Sequence, residues 1–160
     1  MSIAPKLRAF LERRKAVYEI VDHPPTESAM QSAKAAHIPP SCVAKAVLLD
    51  LPGEHMLAVL PSDRRIELGD LRDELGGDKP RLADEGEVQA IFDDCEPGAV
   101  PPIGGYGIVM IIDDSLTEEP DIFFEAGDHR SLIHVEQAEF QRLTSRARHG
   151  HFGTRDWIED

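Results

Sequence analysis

Apolar positions along this 160-residue chain follow two periods, one typical of helices and one typical of strands. Apolar residues three and four positions apart, bounded by Pro, Gly or a capping residue, predict helices over 5–15, 26–36, 66–75, 84–92 and 136–143. Short runs rich in Val, Ile, Leu and Phe predict strands over 17–21, 42–51, 54–60, 81–83, 108–112, 122–124 and 132–135. The Gly/Pro-rich stretch 98–107 is predicted to be a loop.

The order of these elements favours an α+β fold. The strands come as hairpins and pairs separated by helices, not as regular βαβ units, so we expect a mixed, mostly antiparallel, curved sheet flanked by helices. The length predicts a single domain, which we assign to residues 1–146. Residues 147–160 are predicted to form a mobile C-terminal tail, which Phe152 and Trp157 could dock onto the domain.

Charge is distributed unevenly along the chain. The net charge is −13, and the stretch from Leu82 to His129 contains 13 acidic residues without a Lys or Arg. A protein that wraps nucleic acid by charge alone should be basic. A nucleic-acid partner would therefore require a local basic patch, a helper protein, or contact with the tip of the nucleic acid only. The alternative is that the acidic face simply keeps the protein soluble.

Composition also excludes several classes of protein. No apolar run approaches the ~20 residues that span a membrane, and the N-terminus lacks the apolar core of a signal peptide. Cys42 and Cys95 form no CxxC pair, and the seven histidines form no HExxH motif. We therefore expect a cytoplasmic protein without a metal or cofactor. A metal held adventitiously by His149 and His151 remains the weaker alternative.

Lys45 is the one charged residue in the apolar run Val43 to Leu49. A lysine inside a strand is unfavourable unless it reaches water or meets an anion. It could guard a sheet edge against aggregation or extend its amine to solvent. As a functional residue it would be a fixed cation for a phosphate or a carbonyl oxygen.

The segment Gly98 to Gly104 is the second candidate site. It contains two glycines and the tandem prolines Pro101 and Pro102, which imply rigidity. A rigid loop can present main-chain N–H groups to a carbonyl or an oxyanion, although Gly and Pro are also the usual residues of a plain connector. Neither phosphate-binding glycine motif is present.

Further candidates are less specific. His129 follows a glycine turn between two strands, where it could reach a cleft or lie at the surface. Arg64 follows a predicted strand, where an RNA phosphate could meet it. Basic clusters at 13–15 and at Arg142, Arg146 and Arg148 are typical of solvated surface. Cys42 lies three residues before Lys45, but lacks an identifiable base and is interpreted as structural.

Seven segments together resemble the YbaK / prolyl-tRNA synthetase-associated editing domain family, over roughly Val21 to Leu143. They are His23 to Thr26, Val43 to Leu49, Leu57 to Arg65, Arg81 to Ala83, Glu96 to Gly104, Ile112 to Leu116 and Phe124 to His129. The resemblance implies an aminoacyl-tRNA deacylase, which removes a wrong amino acid from the tRNA 3′ end. Because the chain contains only this domain, it resembles the free-standing, trans-acting type.

The resemblance also implies roles for individual residues. The family's invariant lysine maps onto Lys45, and its GxxxP loop maps onto Gly98 and Pro102, which makes these three the expected catalytic residues. The expected substrate-binding residues are Ala46, Arg64, Ala99, Val100, Pro101, Gly104 and His129. Two of these residues differ from those of many family members. Ala46 stands where a small polar residue is common, and Ala99 stands where several relatives have a second glycine.

The implied substrate is tRNA(Pro) that carries alanine or cysteine, and the implied hydrolysis needs no metal. The implied partners are the acceptor end of a charged tRNA and, in addition, an aminoacyl-tRNA synthetase that recruits the protein. The oligomeric state stays open. The competing interpretation is a module of the same fold that binds a tRNA end or a synthetase without catalysis.

Overall fold

A computed structural model describes residues 3–77 and 80–155. Its helices are α1 (Pro5–Arg13), α2 (Ala29–Ala35), α3 (Leu68–Glu74), α4 (Glu85–Ile91) and α5 (Gln137–Leu143). Its strands are β1 (Glu19–Asp22), β2 (Val43–Leu51), β3 (Glu54–Pro61), β4 (Arg65–Ile66), β5 (Arg81–Leu82), β6 (Val109–Asp113), β7 (Asp121–Glu125), β8 (Ser131–Glu136), β9 (Arg148–Gly150) and β10 (Gly153–Thr154). Within these ranges, no helix is long and apolar enough to cross a membrane.

The main sheet has the strand order β1-β8-β7-β2-β3-β6-β9, and β5 pairs with β2 beside this path. The pairs β1·β8, β7·β8, β2·β3 and β2·β5 are antiparallel, whereas β2·β7, β3·β6 and β6·β9 are parallel. Strands β4 and β10 form a small second sheet. The predicted mixed, mostly antiparallel sheet flanked by helices is therefore confirmed.

Side-chain alternation along β2 and β3 divides the core between the two faces of the sheet. Ala44 and Leu48 face the larger cluster, which also holds α1, α5 and the apolar residues of the 99–103 segment. Leu49 faces a smaller cluster that contains Leu71 of α3 and Phe152. Helix α2 packs beside Val43 on this second face, with its alanines in contact with the sheet.

A gap in the main sheet exposes one edge of β2. On one side β2 pairs with β3 along almost its whole length. On the other side it pairs only at its ends, positions 43–44 with β7 and positions 49–50 with β5. In the described part of the chain, residues 45–47 have no strand opposite them on this side. The gap lies at the position of the lysine that the sequence singles out.

The prediction of a mobile C-terminal tail is wrong for residues 147–155, the part of it that the structure describes. β9 pairs with β6, β10 pairs with β4, and Phe152 is completely buried. The side chain of Asp113 accepts hydrogen bonds from the main-chain N–H groups of Phe152 and Gly153, at 2.9 and 2.7 Å. Phe152 docks this segment onto the domain, as the sequence allowed. Trp157, the other residue that could dock it, lies outside the described residues.

Phe152→Ala is expected to lower the free energy of unfolding by about 3–5 kcal/mol, because it removes a buried ring and leaves a cavity. Chemical denaturation measures the change. The matched control is His151→Ala, since the neighbouring side chain is exposed and should contribute under about 0.5 kcal/mol. Equal stability of the two variants would show that the tail does not hold the smaller core together.

Candidate active site

A cavity of about 490 Å³ opens at the gap beside β2. Strand β2 forms one wall, and the segment that follows α4 forms another, with β5 and α4 completing the enclosure. The lining residues are Ala46, Val47, Leu48, Leu82, Ala83, Glu85, Gly86, Val88, Gln89, Pro97, Gly98 and Val100. The fold thus brings together Gly98, an expected catalytic residue, and Ala46 and Val100, two of the expected substrate-binding residues.

The main-chain groups of Ala46 face this gap. The carbonyl of Leu48 accepts a hydrogen bond from the N–H of Ala83 at 3.0 Å, so the main chain of Leu48 is turned toward β5. Alternate residues of a strand direct their N–H and C=O groups to the same side. Ala46, two residues earlier, therefore offers a donor and an acceptor to the gap, where no strand lies opposite.

Gly98 closes the far side of the gap in a conformation that favours glycine. Its φ is +80°, and a Cβ atom there would lie 3.1 Å from the carbonyl oxygen of Glu27 and 3.3 Å from Nε2 of His129. The residue is exposed, and its N–H and that of Val100 form no hydrogen bond within the described chain. Gly98 and Val100, which both line the cavity, therefore each carry a free main-chain donor.

His129 holds the turn that carries Gly98. Its φ is +55°, which turns the ring back into the protein, where it is 5% exposed. Nε2 contacts the carbonyl oxygen of Pro97, and Nδ1 lies 2.9 Å from Oε2 of Glu125. The hydroxyl of Ser32, on α2, donates to the same Glu125 oxygen at 3.0 Å. The network links the end of β7 and α2 to the residue that precedes Gly98.

The protonation of this network follows from its geometry. A carbonyl oxygen only accepts, so Nε2 of His129 carries a proton and donates it to Pro97. A second proton lies between Nδ1 and the carboxyl of Glu125. Burial raises the pKa of Glu125, and the nearby charge of Asp128 acts in the same direction, whereas His129 and the Ser32 hydroxyl oppose the rise.

The raised pKa of Glu125 predicts a pH-dependent stability. The folded state binds this proton more tightly than the unfolded chain does, so the contribution is complete below the ordinary value of 4.5 and is lost as the pH rises through the raised pKa. The free energy of unfolding should therefore fall over that window, and Glu125→Gln should flatten the fall. Denaturation curves across pH measure it, with the exposed Glu118→Gln as the matched control. An equally steep fall in the Gln variant would refute this account of the network.

Lys45 flanks the gap from the face opposite Ala46. Its side chain is half-buried, and burial lowers the pKa of its ammonium group, with the charge of Asp63 opposing the shift. Asp63 is itself paired with Arg155 at 2.8 Å, and no carboxylate in the described residues forms an ion pair with Lys45. A partly desolvated cation without a counter-ion is suited to bind an anionic ligand.

The remaining predicted residues lie away from the cavity. Ala99, Pro101 and Pro102 are buried, so they stiffen the segment behind Gly98 instead of lining the cavity. Gly104 lies against α1, where a Cβ atom would be 2.5 Å from the ring of Phe10. Arg64 directly precedes β4 and donates to the carbonyl of Gly153, in β10, at 3.2 Å. None of these five residues lines the cavity, unlike Ala46, Gly98 and Val100.

Other reactive groups lie outside the cavity. Burial raises the pKa of the Cys42 thiol to about 11, with a further rise from a hydrogen bond to Glu119, so the thiol is protonated at neutral pH. Asp50, His55 and Glu87 place one ligand atom each within 4.8 Å of one another. Arg81 already binds Asp50 there, and Glu87 caps α4, so internal contacts satisfy this cluster.

Sequence reasoning did not identify the residues of β5 and α4 that enclose the cavity, or Glu125. Short amphipathic segments such as 81–91 carry no signal of what they cover. Glu125 had one signal: it ends an apolar strand and stands four residues before His129.

The chain is similar to known proteins in sequence and in fold. The sequence pattern of the aminoacyl-tRNA editing domain matches residues 23–143. A multifunctional Ser/Thr-tRNA deacylase, ProXp-y of Escherichia coli (strain K12), is 29% identical over 106 residues, which cover 62% of this chain and 63% of that protein. The alignment therefore spans less than two thirds of either protein.

Solved structures share the fold. A protein proposed to be a trans-editing enzyme for prolyl-tRNA synthetase superposes with a TM-score of 0.81 at 23% identity, over 96% of this chain and 99% of that one. The hypothetical protein APE2540 superposes with a TM-score of 0.80 at 21% identity, over 93% of this chain and 99% of that one. At these identities the likeness shows the architecture alone.

Proposed function

Because the chain belongs to the aminoacyl-tRNA editing domain family, we propose that it hydrolyses the ester bond between a mischarged amino acid and the 3′ end of a tRNA. The observation that carries this proposal is the open edge of β2. Lys45 offers a half-buried cation there. The next residue, Ala46, lines the cavity and offers free main-chain groups to it.

The chemistry assigned to the site needs water and no cofactor. Water attacks the carbonyl carbon, the bond to the ribose oxygen breaks, and that oxygen takes up a proton, which leaves a free amino acid and an intact tRNA. We assign the developing oxyanion to the N–H groups of Ala46, Gly98 and Val100, because such donors stabilise charge as it forms. Lys45 holds the phosphate of the terminal adenosine.

His129 is assigned a positioning role, not a proton-transfer role. Both ring nitrogens are engaged by Glu125 and Pro97, so neither is free to take a proton from water. We therefore propose that the vicinal hydroxyl of the substrate ribose assists the attacking water. Pro102, buried behind the turn, contributes rigidity to the donors.

The cavity wall supports alanine or cysteine on tRNA(Pro) as the preferred substrate. Near Gly98 the lining side chains are mostly apolar, namely those of Ala46, Leu48, Val88 and Val100. An apolar pocket excludes larger side chains by about 1–3 kcal/mol per methylene, but discriminates weakly against an added hydroxyl. We therefore expect clearly slower hydrolysis of threonyl esters, which add a methyl group, and only slightly slower hydrolysis of seryl esters. Seryl and threonyl esters are the substrates that the name of the E. coli relative gives for that protein.

Hydrolysis of a panel of charged tRNAs tests the function. Alanyl, cysteinyl, seryl, threonyl and correctly charged prolyl-tRNA are incubated with the full chain, with and without a chelator. Hydrolysis of the small esters, unaffected by the chelator, is the expected result. Binding of these tRNAs without hydrolysis of any would instead favour the non-catalytic module, and loss of activity in the chelator would favour a metal enzyme.

A further inference from the structure

The fold brings two separate basic clusters of the sequence to one place. One lies at the C-terminal end of α1, with Arg13 and Arg14, and the other follows α5, with Arg146. Arg142 joins them, because its guanidinium donates to the carbonyl oxygen of Arg14 at 2.9 Å while it pairs with Glu139 at 2.7 Å. Residues 128 positions apart thus form one surface.

The surface encloses a groove of about 430 Å³, which we call the arginine groove. It is bounded by Arg13, Arg14 and Arg146, by the glycines of the segment 104–107, and by the start of β6. In the described residues, no Asp or Glu lines it. This is unusual in a chain with a net charge of −13.

The three arginines have no carboxylate partner within the described part of the molecule. Arg13 and Arg146 are exposed, and Arg14 lies over the ring of Phe10, 4.8 Å from its centroid. Elsewhere on the surface, Lys6, Arg72, Arg81, Arg142 and Arg155 each pair with an acidic side chain. The groove therefore brings together three arginines that no acidic side chain among the described residues neutralises.

The groove lies close to the cavity along the chain. Val100 lines the cavity and Gly104 lines the groove, and four residues of extended chain span at most about 14 Å. Because Gly107 is exposed and a Cβ there would meet nothing within 4 Å, a ligand can approach the main chain at that position. A polymer that enters the cavity by its end could therefore lie in the groove with its next units.

We propose that the arginine groove binds the sugar-phosphate backbone of the tRNA acceptor arm. This extends the proposed function, since it names the surface that holds the rest of the substrate. Guanidinium groups bind phosphate through paired N–H donors, and such contacts position a nucleic acid without reading its bases. The groove resolves the conflict between an acidic protein and a polyanionic substrate, because the positive charge is local.

Salt-dependent RNA binding tests the proposal. The probe is an uncharged acceptor-stem hairpin RNA with a fluorescent label, and its Kd is measured by anisotropy from about 50 to about 500 mM salt. Arg13→Gln with Arg146→Gln should raise Kd about tenfold at the lowest salt and reduce the slope of log Kd against log salt by about 1.5, since each lost phosphate contact contributes about 0.7–0.9. Arg8→Gln with Arg72→Gln removes the same charge from exposed sites elsewhere and is the matched control.

Three results would overturn the proposal. The natural chain could fail to bind the RNA, or the control variant could lose as much affinity as the arginine-groove variant. The arginine-groove variant could also bind the RNA as the natural chain does and lose binding to a synthetase instead. Because the RNA is uncharged, the assay does not depend on hydrolysis, and a chain without deacylase activity could still pass it. In an active enzyme, the groove variant should raise KM for charged tRNA and leave KM for an aminoacyl-adenosine unchanged.

Discussion

Lys45→Met is expected to lower kcat/KM for ester hydrolysis by about a hundred- to a thousandfold, as the loss of one charged or oxyanion-binding group in a preorganised site does. Methionine keeps most of the length and apolar contact of the lysine stem. Because burial disfavours the ammonium group, as its lowered pKa indicates, the variant should unfold at the same or a higher denaturant concentration. Activity and stability thus separate in this variant.

The kinetic constants distinguish the two roles open to Lys45. A contact with the adenosine phosphate is present in the bound substrate and in the transition state, so its loss raises KM, whereas an oxyanion contact lowers kcat. We expect the KM effect to dominate. Lys34→Met, at an exposed position of α2, is the control and should retain full activity. Turnover by Lys45→Met at the natural rate would remove the lysine from the mechanism.

Gly98→Ala is expected to reduce activity at least about tenfold and to lower the free energy of unfolding by about 1–3 kcal/mol. The added Cβ would meet the carbonyl of Glu27 and the ring of His129, so the turn must move away from both. That movement displaces the N–H groups of Gly98 and Val100 from the positions that face Ala46. Rate assays and denaturation measure the two effects in the same protein.

Gly53→Ala provides the matched control for this variant. Gly53 has the same φ of +80°, but a Cβ there would meet nothing within 4 Å. The control therefore carries the conformational strain of about 1–2 kcal/mol without the crowding. Full activity in Gly53→Ala beside a large loss in Gly98→Ala would assign the loss to the turn. Equal activity of the two variants would mean that the Gly98 turn does not orient the substrate.

The regular elements were predictable because each carries its own periodicity. All five predicted helices occur, although with shorter ends. Helix α2 begins after Ser28, whose side chain caps it by accepting from the N–H of Gln31. Thr26, where the predicted helix starts, instead contacts the hydroxyl of Ser32. Local propensity placed the helix, and a tertiary contact decided which residue caps it.

The strands that the sequence did not predict are those whose pairing is long-range. Ile66, which lies in β4, was expected to open a helix, and 148–154 were expected to be tail. Strands of two or three residues have no measurable period, so their partners alone define them. Here β9 and β10 exist because Phe152, between them, fills the smaller core.

The sequence drew attention to some residues of the proposed site, but not to their arrangement. Lys45 stood out because a charge in an apolar strand is unusual, and Gly98 because of the rigid segment that follows it. No local pattern shows that β7 and β5 leave β2 unpaired between them. Nor does any local pattern separate Gly104, which packs on Phe10, from Gly98, which borders the cavity. These facts depend on topology.

The most direct test of the account is a crystal structure of the chain with a non-hydrolysable alanyl-adenosine amide. We expect the alanyl group in the cavity beside Ala46, its carbonyl oxygen within hydrogen-bond distance of the main-chain N–H groups at the gap, and the 5′ side of the adenosine toward Lys45. A ligand bound elsewhere, with the edge of β2 left free, would contradict the account.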